Sequence, residues 1–483
     1  MTLVEQLARF SARASYDDLS RAAREQLKIH VLDALACAVG ALDGEPTRLA
    51  RSQVEEFGGA GPCSLIGGGS ATPDRAAFYN AALVHYLEYN DGYLSRDESC
   101  HPSDNLGPVL AAAEYAGASG RDFLAALALA YQVQCRLSDA APVRDAGFDH
   151  VTQSAYAVAA GCGRALGLDA ARTAHAIAIA GTAFNALRVA RTGRLSQWAG
   201  LAHANVAGAA TQTTLLARRG ITGPAEVFEG DKGFMDAVAG CFVLDWDAED
   251  LELVTRTVLR KYTAPVHAQS TIEAVLALRG REQIPAAAVE RVALEIFEAA
   301  YRAIGGGEEG DRTLVRTRED AAHSLPWLVA VALLDGEVTP AQYLPARIRA
   351  ADVQSLLRRV MVRPEEGLSR RFPGDLPCRV RLTLRDGREV SVELADYPGF
   401  RAAGQTWDFA REKFERLAEP HIDPALRDRI AATVADLEHL DVAQLTRLLA
   451  AVGQPRVAGE PPPLAKGFHL VTPAPRHNDG DER

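Results

Sequence analysis

The segment HYLEYNDGYLSRDESCHPSDN, residues 85–105, is dense in side chains that can exchange protons. Asp91, Ser95 and His101 are predicted to lie in a loop there, because glycine and proline interrupt regular structure. A histidine beside a carboxylate can act as a general acid or base, with the carboxylate orienting the imidazole. The segment therefore predicts an acid–base pair of His101 and Asp91. The alternative is an ordinary surface loop that leads into a helix.

A second histidine, His150, stands in the segment GFDHVTQ, directly before a helix of small residues. The first N–H groups of a helix have no intrahelical partner and attract anions. A carboxylate docked at this helix start would meet His150 as a hydrogen-bond donor. The alternative is a purely structural histidine.

Three arginines, Arg188, Arg191 and Arg194, follow within seven residues in NALRVARTGRLSQWAG. The planar guanidinium group matches a carboxylate with two parallel hydrogen bonds. One or more of these arginines is therefore a candidate for substrate binding. The alternative is a solvated face at a helix end.

Lys261 and His267 flank a proline in the segment LRKYTAPVHAQSTIEA. They lie where helical periodicity gives way to a mixed pattern, and clefts between domains are preferred ligand sites. The pattern fits a binding site and an ordinary linker equally well. Farther along, the run GGGEEGD lacks a phosphate-loop ending and is interpreted as a mobile loop, with Tyr301 and His323 near enough to reach the same cleft.

The elements that must position these residues follow from periodicity. Apolar spacing of three and four residues predicts successive helices from about residue 16 onward, and hence a large all-helical domain over residues 1–260. Strict alternation around Asp386-Gly387 predicts a β-hairpin within a smaller α+β domain over residues 261–405. Helices over 406–455 are expected to return to the first domain, so that the α+β part is an inserted lid. A disordered tail is predicted for 456–483.

Composition excludes several classes of function. A net charge of −11 without a basic stripe argues against nucleic-acid binding. The seven cysteines are scattered and form no CxxC pair, which argues against a disulfide framework, a zinc site or an iron–sulfur cluster. The apolar runs are too short or interrupted to span a membrane, and the polar start predicts no targeting segment, so a cytoplasmic location is expected. Rossmann, HExxH and GxSxG motifs are absent.

The same segments, in this order, resemble the MmgE/PrpD family of 2-methylcitrate dehydratases and cis-aconitate decarboxylases. The similarity extends over residues 5–450 and is carried by long motifs: YNDGYL, HPSDN, GFDHVTQ, RTGRLSQWAGLAHANVAGAA, GITGPAEVFEGDKGF, KYTAPVHAQSTIEA, AIGGGEEGD and TREDAAHSLPWLVAVALLDG. The resemblance implies a large helical domain, a smaller lid domain and a homodimer. It also implies an active site in the cleft that uses neither a metal nor an organic cofactor.

The resemblance also implies site residues by position. The matches to cleft residues of the family are Asp91, His101, His150, Lys261 and His267. Ser95 stands where related decarboxylases have threonine, and Tyr301 is a weaker match. Two departures concern the substrate: Ala199 follows Trp198 where many relatives have lysine, and Cys100 precedes HPSDN where relatives usually have glycine.

The expected activity is cofactor-free dehydration of a small polycarboxylate such as 2-methylcitrate. His101, oriented by Asp91, would be the base or the acid, and His150 its complement. The expected substrate-binding residues are Lys261, His267, Ser95, Arg188, Arg191 and Tyr301. Decarboxylation and epimerisation of similar acids need much the same groups and stay open. A ligand-binding or scaffold protein without turnover is the alternative of another class, favoured by the loss of lysine at 199.

Activity is expected to survive dialysis against EDTA. The sequence offers no cysteine or histidine grouping with metal-ligand spacing. The measurement is turnover of a polycarboxylate before and after chelation. A loss of turnover that added metal restores would contradict the expectation.

Overall fold

Helices dominate the computed structural model, which describes residues 1–57, 60–307 and 310–453. The content is 59% helix and 9% strand, so the prediction of a mostly helical fold is confirmed. The tail predicted to be disordered lies outside the described residues. Glu308 and Glu309, which belong to the segment GGGEEGD interpreted as a mobile loop, also lie outside the described residues.

Alanine-rich amphipathic segments form the first half of the chain. Their buried faces share one hydrophobic core, in which α4 packs on α9 and α7 packs on α6, α8 and α9. The helices are α1 (Leu3–Arg13), α2 (Arg21–Gly40), α3 (Glu45–Glu56), α4 (Pro73–Tyr86), α5 (Leu106–Ala116), α6 (Gly120–Ala140), α7 (Val151–Ala165), α8 (Ala170–Ala183) and α9 (Trp198–Arg218). Two short hairpins join them: β1 (Cys63–Ser64) with β2 (Ser70–Ala71), and β3 (Tyr93–Leu94) with β4 (Ser99–Cys100).

A second hydrophobic core is built from α10, α13 and a four-stranded sheet. The sheet order is β6-β5-β7-β8, with β5 and β6 parallel and the other pairs antiparallel. The strands are β5 (Val289–Ile296), β6 (Val360–Pro364), β7 (Cys378–Leu384) and β8 (Glu389–Leu394). The helices are α10 (Gln269–Glu282), α11 (Glu298–Ala300), α12 (Arg318–Ala322), α13 (Leu325–Asp335), α14 (Pro345–Ile348), α15 (Ala351–Leu357) and α16 (Glu366–Arg371).

The predicted hairpin is confirmed by the pairing of β7 with β8, which closes at Thr383 and Glu389. Gly387 has φ of 88°, a conformation in the turn that suits glycine. The alternation has a physical cause, because Cys378, Val380 and Leu382 point into the second core.

The last described helices are α17 (Trp407–Ala418), α18 (Pro424–Ala435) and α19 (Val442–Ala450). Both α17 and α18 pack on α2, and α19 packs on α5, so their apolar residues belong to the first core. The division into domains at 260 and 405, and the role of the second part as an inserted lid, stay predictions.

Two isolated pairs of backbone hydrogen bonds bring distant loops together. Gly92 and Val258 each donate to the carbonyl of the other, at 2.9 and 2.7 Å. Asp149 donates to Ala186, and Arg188 donates to the carbonyl of Gly147. The loop before β3 therefore meets the segment before α10, and the start of α7 meets the segment after α8.

Gly120→Ala is expected to destabilise the protein. An added Cβ at Gly120 would lie 1.7 Å from the carbonyl oxygen of Leu437, so α6 or its neighbour must shift. Overpacking of this kind costs about 1–3 kcal/mol. Gly280 is the matched control, because its Cβ would meet nothing within 4 Å in the last turn of α10.

Thermal or urea unfolding measures both variants. Gly280→Ala should be neutral or more stable by about 0.5–1 kcal/mol, from helix propensity alone. Equal stability of the two variants would refute the close approach of α6 to Leu437.

Candidate active site

A half-open cavity of about 70 Å³ lies where these loops meet. Its walls include residues at the end of β4, at the start of α7, in the segment that follows α8 and in the segment that precedes α10. Four histidines line it: His101, His150, His267 and His323. Of the sequence-predicted site residues, Arg188 and Arg191 line it as well.

His101 precedes a short 3₁₀ helix, Pro102–Asn105, and its ring lies at the centre of the histidine group. Its ring centroid is 5.3 Å from that of His150 and 5.6 Å from that of His85. Nδ1 of His101 is 3.0 Å from the backbone oxygen of Asp91 and 2.8 Å from Nη2 of Arg260. A protonated Nδ1 donates to Asp91 and leaves Nε2 as the acceptor; an unprotonated Nδ1 accepts from Arg260.

The predicted pairing of the Asp91 carboxylate with His101 needs correction. That carboxylate is fully buried and accepts hydrogen bonds from Tyr131 (2.8 Å) and from the backbone N–H of Ser103 (3.0 Å), and it lies 2.8 Å from Nδ1 of His30. Its oxygens are therefore engaged by groups that do not line the cavity. Asp91 holds His101 through its main-chain carbonyl instead.

His150 and Arg191 are held by one carboxylate, Asp149. Arg191 donates from Nε to Oδ2 of Asp149 at 2.9 Å, and Nδ1 of His150 lies 3.1 Å from Oδ1. Burial raises the pKa of Asp149, but Arg191 and His150 outweigh burial, so this pKa lies below its ordinary value and the group is ionised. The ionised carboxylate fixes the two side chains side by side at the start of α7.

Four arginines give the cavity its positive charge: Arg144, Arg188, Arg191 and Arg260. Nη2 of Arg191 and Nε and Nη1 of Arg260 are buried and have no hydrogen-bond partner among residues 1–57, 60–307 and 310–453. A buried donor without an acceptor costs about 1–3 kcal/mol, and more when it is charged. Nη1 of Arg260 lies 3.6 Å from Oε2 of Glu88, beyond hydrogen-bond distance. A bound carboxylate would supply the missing acceptors, so this part of the cavity is a candidate anion site.

The lining histidines are neutral at pH 7. Burial, helped by nearby arginines, lowers the pKa of His150 to about 4 and that of His267 to about 3. Burial and Arg260 place the pKa of His101 well below its usual range, and burial lowers that of His323. Neutral imidazoles are in the protonation state that a general base needs, and an anion that offsets the arginine charge would raise their lowered pKa values and strengthen them as bases.

Behind His101 lies a protonated histidine, His85, near the end of α4. Burial lowers the pKa of His85, but the carboxylates of Asp104 and Glu88 outweigh burial and raise it to about 9. Its Nδ1 lies 3.0 Å from Oδ2 of Asp104. Glu88, which lines the cavity, has φ of 53°, and such strain in a residue other than glycine is concentrated at functional sites.

Other predicted site residues lie outside the cavity lining. Lys261 pairs through Nζ with Glu273 at 2.8 Å, and Oγ of Ser95 lies 3.1 Å from the backbone oxygens of both Glu98 and Ser138. Tyr301 begins a π-helical turn, Tyr301–Gly305, beyond the wall. Ala199 is buried in α9 and Arg194 is exposed, so neither contributes to the lining.

Sequence reasoning missed Arg260, Arg144, Glu88 and Glu98 as lining residues. Glu88 and Glu98 stand in the segment already singled out by its polar density, and Arg260 directly precedes Lys261. The sequence signal that could have identified these residues was their closeness along the chain to the motifs. Periodicity does not predict which of two adjacent side chains in an irregular segment faces inward.

An outer cavity of about 200 Å³ adjoins the inner one. The two share four lining residues: Glu98, Ser99, Arg144 and His267. A larger pocket of about 420 Å³ lies between α1 and α8, but its mostly apolar lining lacks the histidine and arginine group. The inner cavity is therefore the candidate active site, and the outer cavity is its approach.

Family models match most of the chain. The MmgE/PrpD N-terminal domain matches residues 5–247, and the MmgE/PrpD C-terminal domain matches residues 262–439. The chain belongs to the MmgE/PrpD family. The family expected from the motifs is thereby confirmed, with a match in both halves of the chain.

Individual MmgE/PrpD relatives are distant. The chain is 26% identical over 403 residues to a 2-methylcitrate dehydratase of Cupriavidus necator, covering 78% of this chain and 81% of the relative. It is 27% identical over 357 residues to that of Escherichia coli K12, covering 68% and 71%. It is 25% identical over 402 residues to the cis-aconitate decarboxylase of Mus musculus, covering 78% of each chain. These relatives support a lyase-type enzyme.

Two features of the described residues bear on other expectations. None of their helices has the length and apolar character that a membrane crossing requires. Within the same ranges, no three or more histidine, cysteine, aspartate or glutamate side chains are grouped to hold a metal ion. The homodimer and the cytoplasmic location stay predictions.

The contribution of His85 to stability is expected to depend on pH. Its folded-state pKa of about 9 exceeds the ordinary 6.5, so its stabilisation is complete below about 6.5 and is lost as the pH rises through about 9. Urea denaturation of wild type and His85→Gln at several pH values measures the difference in unfolding free energy. That difference should shrink from pH 6.5 to pH 9. A constant difference would show that His85 is not held as a cation.

Proposed function

We propose that this protein is a cofactor-independent hydro-lyase that dehydrates a small polycarboxylate of the 2-methylcitrate type. The observation that carries the proposal is one cavity lined both by neutral histidines and by arginines whose buried N–H groups lack hydrogen-bond acceptors. Named relatives that dehydrate 2-methylcitrate support the same reaction class.

His101 is the proposed base, and it takes the proton from the carbon next to a substrate carboxylate. The tautomer in which Nδ1 donates to the carbonyl of Asp91 leaves Nε2 as the acceptor. A carboxylate that engages Arg260 would remove the competing donor from Nδ1 and so favour that tautomer. In this proposal, Asp91 positions His101 through its main-chain carbonyl.

Arg191 and Arg260 are proposed to bind the carboxylate that accumulates charge when the proton leaves. Donors already in place stabilise developing charge without the cost of reorientation. Arg188 lies close by, 3.9 Å from Asp149, and can hold a second carboxylate together with His150 and His267. These arginines take the place of the lysine that many relatives carry at the position of Ala199.

The roles proposed for Lys261, Ser95 and Tyr301 are indirect, since these residues stand behind the lining. Lys261 donates from its backbone N–H to Gln269 at 2.9 Å, which fixes the turn that presents Arg260 and His267. A direct contact of Lys261 with substrate would require a rearrangement of its pair with Glu273.

Decarboxylation is the second candidate, favoured by the similarity to the mouse cis-aconitate decarboxylase. It also passes through a carbanion beside a carboxylate, so the same arginines would serve. Epimerisation, with His101 and His150 on either side of the carbon, and ligand binding without turnover are the remaining alternatives.

A screen of di- and tricarboxylates by NMR distinguishes these functions. Loss of water from 2-methylcitrate or a related hydroxy acid supports the proposal, release of CO₂ from cis-aconitate supports decarboxylation, and a change of configuration alone supports epimerisation. Binding detected by thermal shift without any reaction would refute an enzymatic function.

His101→Ala is expected to lower kcat by about 10²–10⁴-fold, because it removes the proposed base. The melting temperature should change little, since the Asp91 carboxylate and its partners are untouched. His439→Ala is the control, because His439 is an exposed histidine far along the chain. Near-normal turnover of a folded His101→Ala protein would reject His101 as the base.

A further inference from the structure

Glu98 is a buried carboxyl group that lies between the inner and the outer cavity. It is only 5% exposed, yet it lines both cavities, together with Arg144 and His267. A group in this position faces the reaction space on one side and the approach from solvent on the other.

The hydrogen bonds of Glu98 are unequal at its two carboxyl oxygens. Oε2 accepts from the backbone N–H groups of Val143 (3.3 Å) and Arg144 (3.1 Å). Oε1 accepts from the N–H of Ser99 at 3.3 Å. Ser95 holds the main chain of Glu98 in place, because Oγ of Ser95 accepts a hydrogen bond from the backbone N–H of Glu98 at 3.1 Å. Oε2 is thus the anchored oxygen, and Oε1 is the one better placed to carry a proton.

Dehydration needs a proton donor that the histidines lining the cavity do not supply. His101, His150, His267 and His323 all have pKa values lowered by burial, so they are neutral at pH 7, and a neutral imidazole is a very weak acid. Burial raises the pKa of Glu98 to about 7, against the opposing charges of Arg188 and Arg144. A substantial fraction of Glu98 is therefore protonated at neutral pH.

We propose that the carboxyl group of Glu98 is the general acid that protonates the departing hydroxyl group. The inference rests on the proposed dehydratase activity. His101 takes the proton from carbon, the C–H electron pair forms the carbon–carbon double bond, and the carbon–oxygen bond breaks. The hydroxyl group takes the proton of Glu98 and leaves as water. Glu98 is then an anion that regains a proton from solvent through the outer cavity, and His101 returns its proton to solvent.

Charged and titratable groups surround Glu98 on both sides. On the inner side they are Arg144, Arg188, Asp149, His101, His150 and His267. On the outer side they are Arg96, Asp97, Asp145, Glu298 and Arg302. Binding of an anionic substrate adds negative charge beside the arginines and so favours the protonated form of Glu98 further.

Glu98→Gln tests the proposal. The amide oxygen of glutamine can still accept from Val143 and Arg144, so the loop stays anchored while the acid is lost. We expect kcat to fall by about 10²–10⁴-fold with a small change in melting temperature. In wild type, kcat/KM should fall as the pH rises through about 7, because the acid form disappears. The variant should lack this decline, and Glu98→Asp should regain part of both the rate and the decline.

The control is Glu290→Gln, the same substitution at an exposed position of β5. Normal turnover of Glu98→Gln, or a pH decline that persists in it, would overturn the assignment while leaving the dehydratase intact. If wild type turns over none of the carboxylates, the proposed function and this inference fail together. If Glu98→Gln does not fold, the wild-type profile decides, since absence of a decline near pH 7 refutes the acid.

Discussion

A single buried carboxylate, that of Asp91, organises the loop on which the candidate site depends. A buried charge is tolerated only when its hydrogen-bonding capacity is satisfied, and Asp91 meets Tyr131 of α6, His30 of α2 and the N–H of Ser103. These bonds fix the loop against two long helices. The backbone carbonyl of Asp91 is thereby held where it faces both His101 and Arg260. Removing this carboxylate would release the loop that carries His101.

The network continues across the junction between the two hydrophobic cores. Nε2 of His30 lies 3.1 Å from Oγ1 of Thr257 and 3.3 Å from Oε1 of Gln405. Gln405 in turn donates to the backbone carbonyl of Thr257 at 2.8 Å. Both segments that connect the cores therefore contact the same imidazole. This arrangement links the position of the loop that carries His101 to that of the segment that carries Arg260 and His267.

Arginines line the cavity, although the chain as a whole carries a net negative charge. The net charge is −11, but four arginines line the cavity, and the nearby acids Glu88 and Asp149 are engaged with His85 and Arg191. Burial keeps the surrounding histidines neutral and raises the pKa of Glu98. Low-dielectric surroundings thus have two consequences. They strengthen the attraction of the arginines for a carboxylate, and they leave the imidazoles neutral while part of the Glu98 carboxyl group stays protonated.

The sequence by itself determined the helical class, the hairpin at Asp386-Gly387 and the family. It also indicated candidate site residues that all line one cavity: His101, His150, His267, Arg188 and Arg191. Local patterns carry this information, because helix and strand periodicity and breaker residues act over short distances.

Only the tertiary structure decided which neighbouring side chains face the cavity. Arg260 faces inward and the adjacent Lys261 pairs with Glu273; Asp91 directs its carboxylate away from His101. These outcomes depend on backbone bonds between residues far apart in sequence, such as Gly92 with Val258. The protonation states follow from burial, which no local pattern encodes. From the sequence, Glu98 in its polar loop is expected to be an ordinary anion, and only the burial seen in the folded chain raises its pKa.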